Sequence, residues 1–214
     1  MIQYKLPRLL FITHQTPQCS YLQSITRALA GGCKFIQLRM KGAGYDEIKE
    51  VVHQALPLCK EQGALLTIDD HAELCLEWNL EGVHLGLNDM KTSEARKLLG
   101  PDVLIGGTAN TFEDIQYQIA EGVDYIGLGP YQYTSTKTNL STTLGLNGYL
   151  SIIQECIFNN IDIPIYAIGG INQADIPAIL STGVWGISLS SAILNAPNPI
   201  KETTNIIQTI DKSL

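Results

Sequence analysis

Eight short apolar runs recur along the chain, and each leads into a stretch with helical period. LLFIT (9–13) precedes YLQSITRALAGG (21–32), where Leu22, Ile25, Ala28 and Leu29 form one stripe. KFIQLR (34–39) precedes residues 45–63, LLTIDD (65–70) precedes HAELCLEWN (71–79), and GVHL (82–85) precedes TSEARKLLG (92–100). VLIGGT (103–108) precedes TFEDIQYQIAEG (111–122), and YIGLG (125–129) precedes LNGYLSIIQECIFNN (146–160) after a longer loop. PIYAIGG (164–170) precedes NQADIPAILSTG (172–183), and WGISLSS (185–191) precedes PIKETTNIIQTIDKSL (199–214). Most of the runs are continuously apolar, as strands buried on both faces of a parallel sheet must be. Gly32, Gly63, Gly100, Gly122 and Gly183 close the helical stretches, where the left-handed C-cap conformation favours glycine. Eight such units in 214 residues predict an α/β fold, a single-domain (β/α)8 TIM barrel spanning residues 1–214. An open doubly wound sheet is the competing architecture. It has fewer units and a glycine-rich first turn, whereas the turn here reads Thr13-His-Gln-Thr-Pro.

Charge narrows the partners. The formal net charge is −7, so a nucleic-acid or anionic-lipid partner, which needs clustered positive charge, is not expected. Small molecules are the expected partners, and the sequence leaves the oligomeric state open, homo-oligomers included. Five cysteines, none in CxxC spacing, predict free thiols in a reducing cytoplasm. The segment MIQYKLPRLLFITHQ has no signal-peptide layout, and no window approaches the roughly 18 apolar residues of a membrane span.

In a TIM barrel the chemistry sits where the strands end at their C-termini. Read in that order, one rim collects Gln37, Arg39 and Lys41, then Asp69 and Asp70, Asp89, Thr108, the loop residues Thr134, Thr136 and Lys137, Gly169-Gly170 and Ser190-Ser191. Spacing by two points Gln37, Arg39 and Lys41 to one face. The residues entering the strands show no comparable pattern. Gly169-Gly170 with Ser190-Ser191 occupies the loops where this fold often binds phosphate through backbone N–H groups, although glycines also simply turn a chain. Asp70 and Asp89 suit a magnesium ion completed by phosphate oxygens and water. The alternative is a helix N-cap for Asp70 and a solvated loop residue for Asp89. Arg39, Lys41 and Lys137 would neutralise a polyphosphate, and Thr134 and Thr136 would donate to a monophosphate. Surface ion pairs are the other reading for any one of these cations. His84 reads as a packed, hydrogen-bonded histidine, and no cysteine has a base at suggestive spacing.

These residues together resemble the thiamine-phosphate synthase family. The matching pieces are QLRMK (37–41), IDD (68–70), GVHLG (82–86) with Asp89, IGGT (105–108), DYIGLGPYQYTSTK (124–137), AIGGI (167–171) and SSAI (190–193), in family order over nearly the whole chain. The resemblance implies a transferase that joins hydroxymethylpyrimidine diphosphate to hydroxyethylthiazole phosphate, with Mg2+ as cofactor. It implies that Gln37, Arg39, Lys41, Asp69, Thr108 and Lys137 hold the pyrimidine diphosphate, with Arg39, Lys41, Thr108 and Lys137 assigned to catalysis. It implies that Asp70 and Asp89 hold the metal, and that Thr134, Thr136, Gly170 and the Ser190-Ser191 backbone hold the thiazole phosphate. A thiazole tautomerase and a non-catalytic binder of thiamine precursors are the alternatives on the same fold. The chain departs from the family pattern at Asp69, where asparagine is usual, at Thr108, usually serine, and at Leu87, usually glutamine. An ionised Asp69 donates no hydrogen bond and would repel a diphosphate unless a metal or a lysine offsets it.

Overall fold

A computed structural model describes residues 6–133 and 142–214; Thr134, Thr136 and Lys137 lie outside the described residues. The strands are β1 (Leu9–Ile12), β2 (Phe35–Leu38), β3 (Leu65–Asp69), β4 (Gly82–Leu85), β5 (Leu104–Ala109), β6 (Tyr125–Leu128), β7 (Ile165–Ile168) and β8 (Gly186–Leu189). They pair in sequence order, all parallel, and β8 returns to β1, closing the barrel. Between and after them run α1 (Tyr21–Ala30), α2 (Tyr45–Glu61), α3 (Ala72–Glu77), α4 (Thr92–Leu99), α5 (Phe112–Glu121), α6 (Gly145–Phe158), α7 (Ile176–Leu180), α8 (Ser191–Leu194) and α9 (Pro199–Lys212). A 3-10 turn, Gln173–Asp175, opens α7, and the short α8 splits the stretch after β8 in a way the hydrophobic period does not reveal. Among the described residues no helix is long and apolar enough to cross a membrane.

Local chemistry starts these helices where the polar signals fall. Ser20 caps α1 by accepting from the Gln23 N–H while the Gln23 side chain accepts from the Ser20 N–H, and Thr111 and Asp114 do the same for α5. The strand residues then alternate between two cores. Phe11, Ile36, Ile68, Val83, Ile105, Ile126, Ala167 and Ile187 face the helices, whereas Leu10, Phe35, Leu104, Tyr125 and Tyr166 fill the barrel. The rings of Phe35, Tyr125 and Tyr166 meet edge to face, with centroids 5.5–5.9 Å apart, and plug the interior below the mouth.

The first glycine of IGGT, Gly106, makes room for that plug. A Cβ on Gly106 would lie 2.1 Å from the Tyr125 ring and 2.6 Å from His84 Nδ1. Gly106→Ala is therefore expected to destabilise the protein by about 1–3 kcal/mol, the cost of overpacking, read as a lower urea midpoint at unchanged slope. An unchanged midpoint would mean that Tyr125 and His84 shift aside freely.

Candidate active site

The rim at the strand C-termini carries the functional groups, and each is placed by backbone that can be traced. β1 and β2 are tied beyond their ends by Thr13. Its N–H donates to the Gln37 carbonyl (2.9 Å), and its hydroxyl accepts from the Arg39 N–H (2.9 Å) and donates to the Arg39 carbonyl (3.3 Å). Arg39 is thereby held facing inward. Its Nε lies 3.1 Å from Asp69 Oδ2, and Gln37 Nε2 donates to Asp69 Oδ1 at 2.5 Å. Asp69 is only 8% exposed, so its charge needs these partners. The offset that the sequence assigns to a metal or a lysine is supplied here by Arg39 and Gln37. Lys41 lies past the end of β2, exposed in the turn where the Ala43 N–H donates to the Met40 carbonyl (3.0 Å).

The next residue diverges from Asp69. Asp70 takes a left-handed backbone (φ 69°), and its N–H donates to the His84 carbonyl at 2.9 Å. Few residues other than glycine hold that conformation, and aspartate is among those that tolerate it. The twist sends the Asp69 carboxylate into the barrel and the Asp70 carboxylate to Asp89, within hydrogen-bonding reach. Asp89 is fixed by its own turn: its Oδ2 accepts from the Gly86 N–H (2.7 Å), and its N–H donates to the Gly86 carbonyl (3.2 Å). A Cβ on Gly86 would sit 2.6 Å from that carboxylate oxygen, so a side chain there would displace the Asp89 carboxylate from this position. The N-cap alternative for Asp70 does not hold, since α3 is preceded by His71 with no side-chain cap bond.

Burial raises the Asp70 pKa above its ordinary value. The hydrogen bond to Asp89 and the Asp89 charge push it the same way, and the Arg39 and His71 charges oppose them. Two carboxyl groups so placed, one half-buried, fit a small hard cation that takes one or two carboxylates and completes its shell with phosphate oxygens and water. Among the described residues no group of three or more His, Cys, Asp or Glu side chains could enclose a metal, so such an ion would depend on substrate oxygens.

Thr108 ends the interior face of β5, and His84 Nε2 lies 3.1 Å from its hydroxyl. His84 Nδ1 is 3.3 Å from the Tyr125 hydroxyl, whose pKa burial raises far above the usual phenol range. His84 therefore links a neutral phenol to Thr108, in keeping with its reading as a hydrogen-bonded residue. Gly170 (φ 71°) is exposed after β7, and a Cβ there would meet the Tyr133 carbonyl at 2.9 Å. The Tyr131 and Gln132 N–H groups donate to the Ile168 and Gly169 carbonyls (2.8 and 2.9 Å). The Leu144 and Gly145 N–H groups donate to the Pro130 and Tyr131 carbonyls (2.9 and 3.0 Å). The described residues flanking 134–141 thus meet beside Gly170. Ser190 and Ser191 stand at the end of β8, where α8 begins. Thr13 and Ser188 are site residues that the rim reading missed; the alternation Ser188-Leu189-Ser190 was the available signal for the second.

The opposite rim carries a few charged groups whose partners lie close by. Arg96 Nη2 pairs with Asp124 Oδ2 at 2.6 Å, and Arg8 stacks on the Trp185 ring at 3.7 Å while donating to the Trp185 carbonyl (2.6 Å). A cavity of about 950 Å³ opens there beside Arg8, Asp124 and Trp185, and none of Arg39, Asp69, Asp70, Asp89, Thr108 or Gly170 lines it.

Comparison with known proteins agrees with this geometry. The thiamine monophosphate synthase family model matches residues 9–193. Thiamine-phosphate synthase of Bacteroides fragilis is 55% identical over 197 residues, covering 92% of this chain and 97% of that protein. Thiamine-phosphate synthase of Phocaeicola vulgatus is 50% identical, covering 95% and 98%. The solved structure of thiamine phosphate pyrophosphorylase from Pyrococcus furiosus superposes with a TM-score of 0.86 at 30% identity, covering 97% of this chain and 96% of that one. With a closed eightfold barrel, one mouth carrying the acids and Arg39, and relatives of this similarity along nearly their full length, the chain belongs to the thiamine monophosphate synthase family.

Proposed function

We propose that this protein is a transferase that couples 4-amino-5-hydroxymethyl-2-methylpyrimidine diphosphate with hydroxyethylthiazole phosphate, giving thiamine phosphate and pyrophosphate. The observation that carries the reading is the meeting of Asp70 and Asp89 at a mouth where the Arg39 charge also acts on Asp70. Such a site favours departure of a diphosphate and, among the described residues, presents no activated nucleophile. The carbon–oxygen bond to pyrophosphate breaks with its electron pair leaving on the oxygen, and the thiazole nitrogen then supplies the pair for the new carbon–nitrogen bond. Arg39 faces the negative charge that grows on the leaving group, with its Nε edge anchored by Asp69. Gln37 and Thr108 line the interior wall for the pyrimidine, and Lys41 reaches the diphosphate from outside. Gly170 and the Ser190-Ser191 backbone receive the thiazole phosphate, which is held in place for attack. Lys137, Thr134 and Thr136 complete the two anion sites by the family pattern. Asp70 and Asp89 would hold Mg2+, which when bound neutralises part of the diphosphate charge. The five cysteines are free, which supports action in the cytoplasm.

The deciding experiment is pyrophosphate release from the two purified precursors, with and without magnesium. Release that requires both precursors and the metal is expected. Turnover of the thiazole alone would mean a tautomerase, and binding without release would mean a carrier.

The raised Asp70 pKa adds a pH dependence. The folded chain holds that proton more tightly than the unfolded chain does, so this contribution to stability is full at acid pH. It is lost as the pH rises through the raised value. Magnesium needs the deprotonated pair. The rise in Tm on adding magnesium is therefore expected to be larger at mildly alkaline than at mildly acidic pH. A shift independent of pH would place the ion elsewhere.

A further inference from the structure

We propose that Ser188 and Ser190 are specificity-determining residues for the pyrimidine substrate, acting through hydroxyls turned into the barrel. The inference deepens the synthase reading and rests on it. Ser188 pairs in register with Leu10 of β1 and Ile168 of β7, both of which pack in the interior cluster, so its side chain points inward. Ser190 is the first residue past β8, one step nearer the mouth, where the backbone leaves the strand conformation (φ −135°, ψ −85°) to start α8. Gln37 reaches this wall from the other side of β1, in register with Ile12, another interior residue. Ser188 and Gln37 are 3% and 2% exposed. The Ser188 hydroxyl, the Ser190 hydroxyl and Gln37 Oε1 are all closed to solvent and have no hydrogen-bond partner among the described residues. Buried polar atoms nearly always have partners, so three orphans flanking one strand mark a place where a ligand supplies them.

The polarity of the wall selects the ligand. A carboxylate only accepts, so Asp69 obliges Gln37 to present Nε2 to it and turns Oε1 away as an acceptor. Whatever fills this layer must bring an N–H or O–H to Gln37 and can take donors from the serines. An aminopyrimidine does both: its exocyclic amine donates, and its ring nitrogens accept. A thiazole ring has no N–H to offer. The two hydroxyls therefore belong to the pyrimidine, a role separate from the one the family resemblance implies for the Ser190 backbone.

The test is steady-state kinetics of Ser188→Ala, Ser190→Ala and the double variant, with each substrate varied in turn. Each single change is expected to raise KM for the pyrimidine diphosphate about 3- to 10-fold, the size of one neutral hydrogen bond. KM for the thiazole phosphate should stay within about twofold, and Tm should not fall, since each change removes a buried orphan. A pyrimidine analogue with a ring nitrogen replaced by C–H provides a second readout, because it should lose its disadvantage in the variant lacking the matching hydroxyl. Unchanged pyrimidine KM, a rise confined to the thiazole phosphate, or an undiminished disadvantage of every such analogue would overturn the proposal. Failure of the unmodified protein to release pyrophosphate would instead sink the synthase reading beneath it.

Discussion

Asp70→Ala is expected to abolish magnesium-dependent pyrophosphate release, with kcat/KM down by about 10³-fold or more, because metal stabilisation of a leaving charge is worth several kcal/mol and each 1.36 kcal/mol is tenfold. Asp89→Ala should behave alike, since the two carboxyl groups meet at one point. Thiazole phosphate binding should persist, because Gly170 and the end of β8 lie on other strands. Stability should move the opposite way to activity. Asp70→Ala removes a half-buried carboxyl whose ionisation is opposed by burial and by Asp89, so this metal-free variant should melt at or above the unmodified protein at neutral pH. Both variants should lose the magnesium-induced rise in Tm. Loss of both ligands together, or a magnesium response that survives, would count against a division of labour between the metal pair and the thiazole site.

Arg39→Ala should be nearly as damaging for two separable reasons. It removes the guanidinium that faces the leaving group, at an expected cost of about 10²- to 10³-fold in kcat/KM, in line with loss of a charge-stabilising donor. It also leaves Asp69 buried with one charged partner gone, a change that costs about 3–5 kcal/mol when a buried pair is broken. Adding Asp69→Ala to Arg39→Ala should restore much of the stability and none of the activity. Arg39→Lys should rescue little, because an ammonium cannot send one edge to Asp69 while presenting another to a diphosphate. Urea melts and pyrophosphate assays on the four proteins would settle it; recovery of activity in the double variant would show that Arg39 matters only as the counter-charge to Asp69.

Asp69 illustrates what a linear reading misses. Beside Asp70 it looks like a liability toward phosphate, and the sequence does not reveal that the left-handed Asp70 backbone turns the two carboxylates to different places. Its counter-charge comes from Arg39, thirty residues earlier, placed by a threonine just past the end of β1. The serine signal was similar. WGISLSS was legible as a strand ending in hydroxyls, but which hydroxyls enter the barrel depends on register with Leu10 and Ile168.

The order of strands and helices, the closed parallel barrel and the rim that bears the chemistry follow from hydrophobic period and glycine placement, because burying both faces of eight apolar strands leaves few ways to arrange them. The pairings within that rim belong to the tertiary structure alone. Asp70 with Asp89, Arg39 and Gln37 with Asp69, and Thr108 with His84 join residues far apart in the chain, and their contact depends on barrel register and on single backbone angles that no local pattern encodes.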